Sequence, residues 1–408
     1  MNTVERRWAS GLVALGTIVR LLPLALPFDF SGPDSASYLG PAHGLLEQGC
    51  YCMGGEPTAL RPPGYPVFLA AVLGLSGQSL LAVRAAQALL GGLAAAGIYL
   101  VLARTTRWPR CALLGGLLAA LDPVSIGQSP WLLREGLLLG LLVGLVAALT
   151  LLRGRARYAV GGLLLGALTL THQLYLLLGG FLFLADALAR RPRHRLLPWV
   201  GMGLIVLLVA FLWARRTERV TGHLSLAATE NAVPARELWL TTACSNWWLS
   251  GDERTGFQAQ AWAEERELVT TRGVQGAKAE YYRRFFANWR EHPLRSFART
   301  LRLNLWYWLE IPGAIRLVKD QRLAWVRWLI LPFHWARLAA ALAGLLYLLR
   351  SGGWRAQRAT LACLAFLGLA PALLYPVPRY LGPGVPLLDL LAAIGLSASW
   401  ARRRERTA

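Results

Sequence analysis

Lysine is almost missing from this sequence: of 43 basic residues only Lys278 and Lys319 are lysines, and the rest are arginines. Acidic residues are scarce as well, 22 in 408 positions, so the chain carries a net charge of +21 although only 16% of its residues are charged. A soluble domain has about a quarter of its residues charged, which excludes an ordinary water-soluble enzyme. A basic excess would suit a nucleic-acid binder if it formed one face. Here the arginines fall in short segments between apolar runs, the pattern that orients a membrane protein, and no nucleic-acid partner is expected. No GxxxxGK[ST] loop or Rossmann fingerprint occurs, and the six histidines show no zinc spacing. Of the five cysteines, Cys111 and Cys363 lie in or beside apolar runs as small apolar residues. Cys50-Tyr51-Cys52 is too closely spaced for a zinc knuckle, and a disulfide from either to Cys244 is open if both loops lie outside.

Apolar residues are abundant, 55% of the chain, and they are strung into runs. A spanning helix needs about 20 residues, fewer inside a bundle. Ten candidate spans follow: 10–28, 80–102, 111–124, 132–151, 159–171, 174–188, 196–213, 326–349, 359–376 and 383–400. The first run follows MNTVERRWAS and is longer than a cleavable signal, so it reads as a retained span. With ten crossings the arginines at 6–7, 104–110, 153–157, 190–195, 350–358 and 402–404 all fall on one side, which predicts both termini in the cytoplasm. The opposite face receives two long polar segments, 29–79 and 214–325. The chain thus reads as an all-α polytopic membrane protein with an N-terminal module at 1–213, an outer loop at 214–325 and C-terminal helices at 326–408. The tryptophans and arginines of 214–325 predict short interfacial helices, with a structural cap as the plainer role. Glycines in GGLAAAG (91–97), GGLL (115–118 and 161–164) and GMG (201–203) predict close helix contacts.

The candidate chemistry clusters at the outer face. Asp34, in Pro33-Asp34-Ser35-Ala36-Ser37-Tyr38, follows the first span; a carboxylate partly desolvated there suits deprotonation of a hydroxyl, while the plainer role is to cap the next helix. Arg61 opens the rigid turn Arg61-Pro62-Pro63-Gly64-Tyr65-Pro66, where a planar guanidinium suits a phosphate. Glu135 heads the fourth span next to Arg134, a costly place for a charge unless paired or used. Asp122, in Leu121-Asp122-Pro123, is a further acidic residue just before it in the sequence. His172 occupies a tight turn that suits either a cavity wall or a structural hydrogen bond, and Arg379-Tyr380 interrupt the last two spans as interface anchors or headgroup ligands.

The order of these motifs resembles the integral-membrane GT-C glycosyltransferases, in particular the protein O-mannosyltransferase and aminoarabinose-transferase-like superfamily (glycosyltransferase family 39-like). The resemblance rests on Asp34-Ser35-x-x-Tyr38, on Arg61-Pro62-Pro63-Gly64-Tyr65-Pro66-x-Phe68-Leu69-Ala70, on Glu135, on Glu291-His292-Pro293 and on Arg379-Tyr380. It implies a GT-C-like bundle of about ten or more transmembrane helices in a bacterial cytoplasmic membrane. It also implies transfer of a sugar from a polyprenyl-phosphate donor, at the periplasmic or exterior face, to a lipid, glycan or secreted-protein acceptor. In that scheme Asp34 and Glu135 are catalytic, Arg61, Arg379 and Tyr380 bind the donor phosphate, and Tyr38, Tyr65, Asp122, Arg134 and His172 line the cavity. The expected route is a single displacement with inversion, with no obligatory metal although carboxylates beside a phosphate suit a divalent ion. A transporter or flippase of the same lipids, or a noncatalytic scaffold, are the competing classes.

Overall fold

The computed structural model describes residues 2–26, 30–32, 34–189, 196–226, 233–243, 251–310, 325–374 and 378–407. Helices run in the order α1 (Thr3–Leu21), α2 (Ser35–Glu47), α3 (Gly64–Leu75), α4 (Leu80–Thr105), α5 (Pro109–Ala120), α6 (Pro123–Gln128), α7 (Glu135–Leu151), α8 (Gly154–Thr171), α9 (Leu178–Ala189) and α10 (Leu196–Thr221). They continue as α11 (Val233–Ala243), α12 (Gly251–Glu291, broken at Gly273), α13 (Pro293–Glu310), α14 (Val326–Ser351), α15 (Arg358–Leu374) and α16 (Val385–Thr407). A two-stranded antiparallel hairpin, β1 (Cys52–Met53) with β2 (Glu56–Pro57), turns through Gly54 and Gly55, both at positive φ as such a two-residue turn requires.

Among the described residues each of the ten apolar runs contains helix, but six stretches, not ten, are long and apolar enough to cross a membrane. The reason is local. α7 is held to 17 residues between Glu135 and Arg153 and α8 opens with Arg155 and Arg157 inside it, whereas α5 and α6 together, Pro109–Gln128, are long enough. The protein is nevertheless integral to a membrane, because runs of this length and hydropathy have no other solvent that suits them.

The chain forms two compact units, residues 1–228 with 311–366 and 381–408, and residues 229–310 with 367–380. In the first, α4 packs against α1, α5 and α7, α7 against α8, α8 against α10, and α16 against α5 and α14. Burial ranks them: 89% of the apolar window in the last helix is buried and only 17% of that in α10, which places α16 in the centre of this unit and α10 at its rim facing lipid. In the second unit α11 packs on α12 and α13, with Ala235, Ala277 and Tyr281 as its small core and Arg236 paired to Glu265 beneath Trp262. The segment 214–325 holds the helices α11 to α13, of which α12 is long and not short, and α10 extends to Thr221 and takes the first part of the segment.

Cys50 and Cys52 are joined to each other, not to Cys244, which lies outside the described residues. Adjacency explains the change: the two cysteines flank one residue at the entry to the hairpin, 5.4 Å apart at Cα, within the span a disulfide bridges.

Candidate functional site

Asp34 occupies the N-cap position of α2, yet its side chain makes no capping bond. Its Oδ1 instead accepts a hydrogen bond from Nη2 of Arg61 at 2.9 Å, and the Nε of Arg61 donates to Ser37 Oγ at 2.9 Å. The guanidinium also lies 4.8 Å from the centre of the Tyr38 ring, so the arginine is held on three sides by the first turn of α2. Asp34 and Arg61 are each about one quarter exposed, so the pair is within reach of a ligand.

The turn that presents Arg61 is fixed from below. A Cβ added to Gly64 would stand 2.3 Å from Thr171 Oγ1 and 2.8 Å from its backbone nitrogen, so only glycine lets α3 start against the end of α8. The Tyr51 hydroxyl donates to the Arg61 carbonyl at 2.9 Å, and burial pushes that phenol's pKa upward, opposed by Arg216. Arg216, from α10, donates to the carbonyls of Tyr51 and Thr58 and lies over the rings of Tyr51 and Trp213. Sequence reasoning missed this clamp; 165 residues separate the partners, and nothing local marks Arg216 among the arginines near it.

Glu135 heads α7 and is buried with Arg134. The stretch before it meets α2 directly: Ser35 Oγ donates to the Leu132 carbonyl at 3.2 Å. Tyr65 stands edge-on to Tyr38 at 5.1 Å and donates to Gln87 at 2.6 Å, and Gln87 in turn holds the carbonyls of Ser129 and Trp131. Tyr38, Tyr65, Leu132 and Leu137 share one apolar cluster. Asp34, Arg61, Tyr38, Tyr65 and Glu135 are therefore carried by elements that converge at one end of the bundle.

His172 lies at the neighbouring corner, where it caps the short turn Gln173–Leu177 through a bond from Leu174 N to its Nδ1 and packs edge-on to Tyr175. Asp122 is elsewhere in its bonding: fully buried, it caps α6 through Val124 N and Ser125 N and accepts from Arg337 at 2.5 Å. The backbone of Arg379 and Tyr380 follows a 3-10 turn, Pro378–Gly384, and their side chains fall outside the described residues, as does Asp29. No group of three or more His, Cys, Asp or Glu side chains suited to a metal occurs among the described residues.

No protein-family model matches the sequence, and no curated protein matches it. Solved structures do share its fold. Across its whole length the chain is similar to the archaeal oligosaccharyltransferase AglB from Archaeoglobus fulgidus, solved with an inhibitory peptide and a dolichol-phosphate, at 11% identity and a TM-score of 0.56. A second structure of the Archaeoglobus fulgidus enzyme, in complex with Zn and sulfate, matches 97% of the chain at 13% identity and a TM-score of 0.51. ArnT from Cupriavidus metallidurans bound to undecaprenyl phosphate matches 97% of the chain and 79% of its own at 17% identity, with a TM-score of 0.45 that is too low to carry an argument. The chain spans about half the length of the oligosaccharyltransferase, 52% and 50% in the two structures.

Proposed function

This chain has a GT-C-like integral-membrane fold, and we propose that it is a glycosyltransferase that moves a sugar from a polyprenyl-phosphate donor to an acceptor at the face of the membrane where Asp34 and Arg61 lie. The observation that carries the reading is the Asp34–Arg61 pair, a carboxylate and a guanidinium in contact at the reachable end of an apolar bundle whose fold matches an oligosaccharyltransferase solved with a dolichol-phosphate.

The chemistry asks for few parts. The acceptor hydroxyl or amine attacks the anomeric carbon as the bond from that carbon to the lipid phosphate breaks; the acceptor's proton goes to a carboxylate, and the negative charge gathers on the departing phosphate. At rest Arg61 neutralises Asp34. A phosphate arriving within reach of Arg61 competes for the same guanidinium and frees Asp34 to take the acceptor's proton, so donor binding prepares the base. Glu135, one helix start away, orients the acceptor. A single displacement of this kind inverts the anomeric centre. An apolar groove of about 600 Å³ between α5 and α14, lined by residues such as Leu118, Leu121, Ile330 and Phe333, offers room for the polyprenyl chain at the same end of the bundle. In this reading Arg61, already in contact with Asp34, takes the negative charge of the departing phosphate.

The test is to compare lipid-linked sugars and glycoconjugates by mass spectrometry in cells with the intact gene, without it, and with Asp34→Asn or Glu135→Gln. Loss of the gene leads one lipid-linked donor to accumulate and one sugar modification to vanish. Each variant reaches the membrane in normal amount and lowers transfer by about 100-fold or more, the scale of a lost general base. Full transfer in both variants sinks the roles given to these carboxylates, and an unchanged lipid-linked pool in the deletion sinks the activity.

A further inference from the structure

A tyrosine buried without a hydrogen-bond partner is costly, because it keeps the desolvation penalty of its hydroxyl and gains nothing over phenylalanine. The buried tyrosines around the Arg61 turn escape that penalty: Tyr51 donates to the Arg61 carbonyl and Tyr65 donates to Gln87. Tyr175 does not escape it. The residue is 2% exposed, and its hydroxyl bonds to no protein group among the described residues.

The ring itself is well held. Tyr175 lies in the turn Gln173–Leu177, where its backbone nitrogen donates to the His172 carbonyl at 3.0 Å. Its ring centre is 6.1 Å from that of His172 and 5.2 Å from that of Phe366 in α15. Phenylalanine would make all of these contacts, so packing accounts for the ring and leaves the hydroxyl unexplained. The surroundings of the hydroxyl are polar: it lies within electrostatic reach of Arg134 and Glu135 at the start of α7, and of Cys363. Tyr65 also reaches Glu135, from α3, but its hydroxyl is committed to Gln87. The same turn adjoins the Arg61 side of the site, since Thr171, four residues before Tyr175, is the residue against which Gly64 seats the start of α3.

We propose that Tyr175 is a further substrate-binding residue beside Glu135, its O–H donating to the oxygen of a substrate hydroxyl whose own proton faces the Glu135 carboxylate. This role rests on the glycosyltransferase reading and narrows it. A hydroxyl offers both a proton and a lone pair, which is what a carboxylate beside a phenol O–H recognises, whereas an ammonium offers protons alone. The group held at Glu135 is then a neutral hydroxyl of the acceptor, of the kind that sugars and other polyols carry. Tyr175 and Glu135 are both covered, 2% and 6% exposed, so a substrate group that reaches them is stripped of water and finds its hydrogen bonds there.

Tyr175→Phe removes the hydroxyl and nothing else. The full-length variant, purified in detergent, melts at the temperature of the parent or slightly above it because no bond within the protein is lost. Tyr65→Phe, which strands Gln87 Oε1, melts lower. In cells, mass spectrometry of lipid-linked sugars and glycoconjugates shows transfer lowered about tenfold by Tyr175→Phe at equal amounts of membrane-inserted protein, the scale of one hydrogen bond to an uncharged group. A lowered melting temperature for Tyr175→Phe marks the hydroxyl as structural and overturns the proposal. Full transfer in Tyr175→Phe together with transfer lost in Asp34→Asn overturns it and leaves the reaction standing. Full transfer in both variants removes the reaction and the role of Tyr175 with it.

Discussion

Ion pairs in this protein differ by what else each partner holds, and the difference decides what a substitution does. Arg61 bonds Ser37 and covers Tyr38 while it pairs with Asp34, so its position survives loss of the carboxylate, and Asp34→Asn is a test of chemistry more than of folding. In the second compact unit, Glu280 is a structural counterpart. Hydrogen bonds from Arg283 and Arg284 hold its carboxyl well below the usual range, at about 2. A carboxylate with a depressed pKa contributes stability above its unfolded value near 4.5, and that contribution is lost as pH falls toward 2. With Arg283 largely exposed, solvent screens the pair and its contribution is small. Thermal melts of the parent and of Glu280→Gln therefore differ by a constant amount from pH 8 to about 5 and converge between pH 4.5 and 2; a difference that persists at pH 2 rules out the carboxylate as its source. Asp34, Arg61 and Glu135 stood out in the sequence because each interrupts an apolar context with a charge or a rigid turn. Arg216 and the Cys50–Cys52 link did not, since one is an arginine among several and the other was one of several pairings.

At the scale of the helix, hydropathy located all ten apolar runs, because a run of apolar residues in lipid has only helix available to satisfy its backbone. It overstated their lengths where a charged residue delays the start of the helix, as Glu135 does for α7, which begins three residues into the run 132–151. Glycine motifs were harder still: composition alone does not say whether a glycine faces a neighbouring backbone or open space. The contact between α14 and α16 shows the first case. A Cβ on Gly344 would stand 2.0 Å from the Leu391 carbonyl, and one on Gly395 would stand 2.1 Å from that of Ala340, so each glycine seats the other helix's backbone. Gly344→Ala or Gly395→Ala forces the two helices apart and costs about 1–3 kcal/mol, the range for overpacking a tight contact. Gly201→Ala, which meets nothing, leaves the melting temperature in detergent unchanged or slightly raised through better helix propensity. If all three variants melt alike, packing at these glycines does not govern stability.

Across the first compact unit, four of the buried charges act as one assembly. Arg337 of α14 donates to Asp122, faces Asp389 of α16 at 3.5 Å and bonds His334, while Arg20 of α1 donates to the carbonyls of Ala119 and Ala120 at the end of α5. Arg20 also lies within electrostatic reach of both aspartates. Two positive and two negative side chains, all nearly without exposure, therefore join the ends or interiors of five helices with no net charge. Balance of this kind matters more than any single contact, because a buried ion left without its counter-charge keeps its desolvation cost and loses the attraction that offset it. Arg337→Met leaves two carboxylates facing Arg20 alone and costs about 3–5 kcal/mol. Adding Asp389→Leu to that variant removes the surplus charge and leaves Arg20 with Asp122, so the double variant is more stable than Arg337→Met by itself. Asp122 is the wrong residue to remove in this comparison, since it also caps α6. Denaturant unfolding in detergent of the parent, both single variants and the double variant closes the cycle. A strongly favourable coupling marks a charge-balanced assembly, whereas losses that simply add mean that Arg337 and Asp389 act independently and that the helices are held by packing alone.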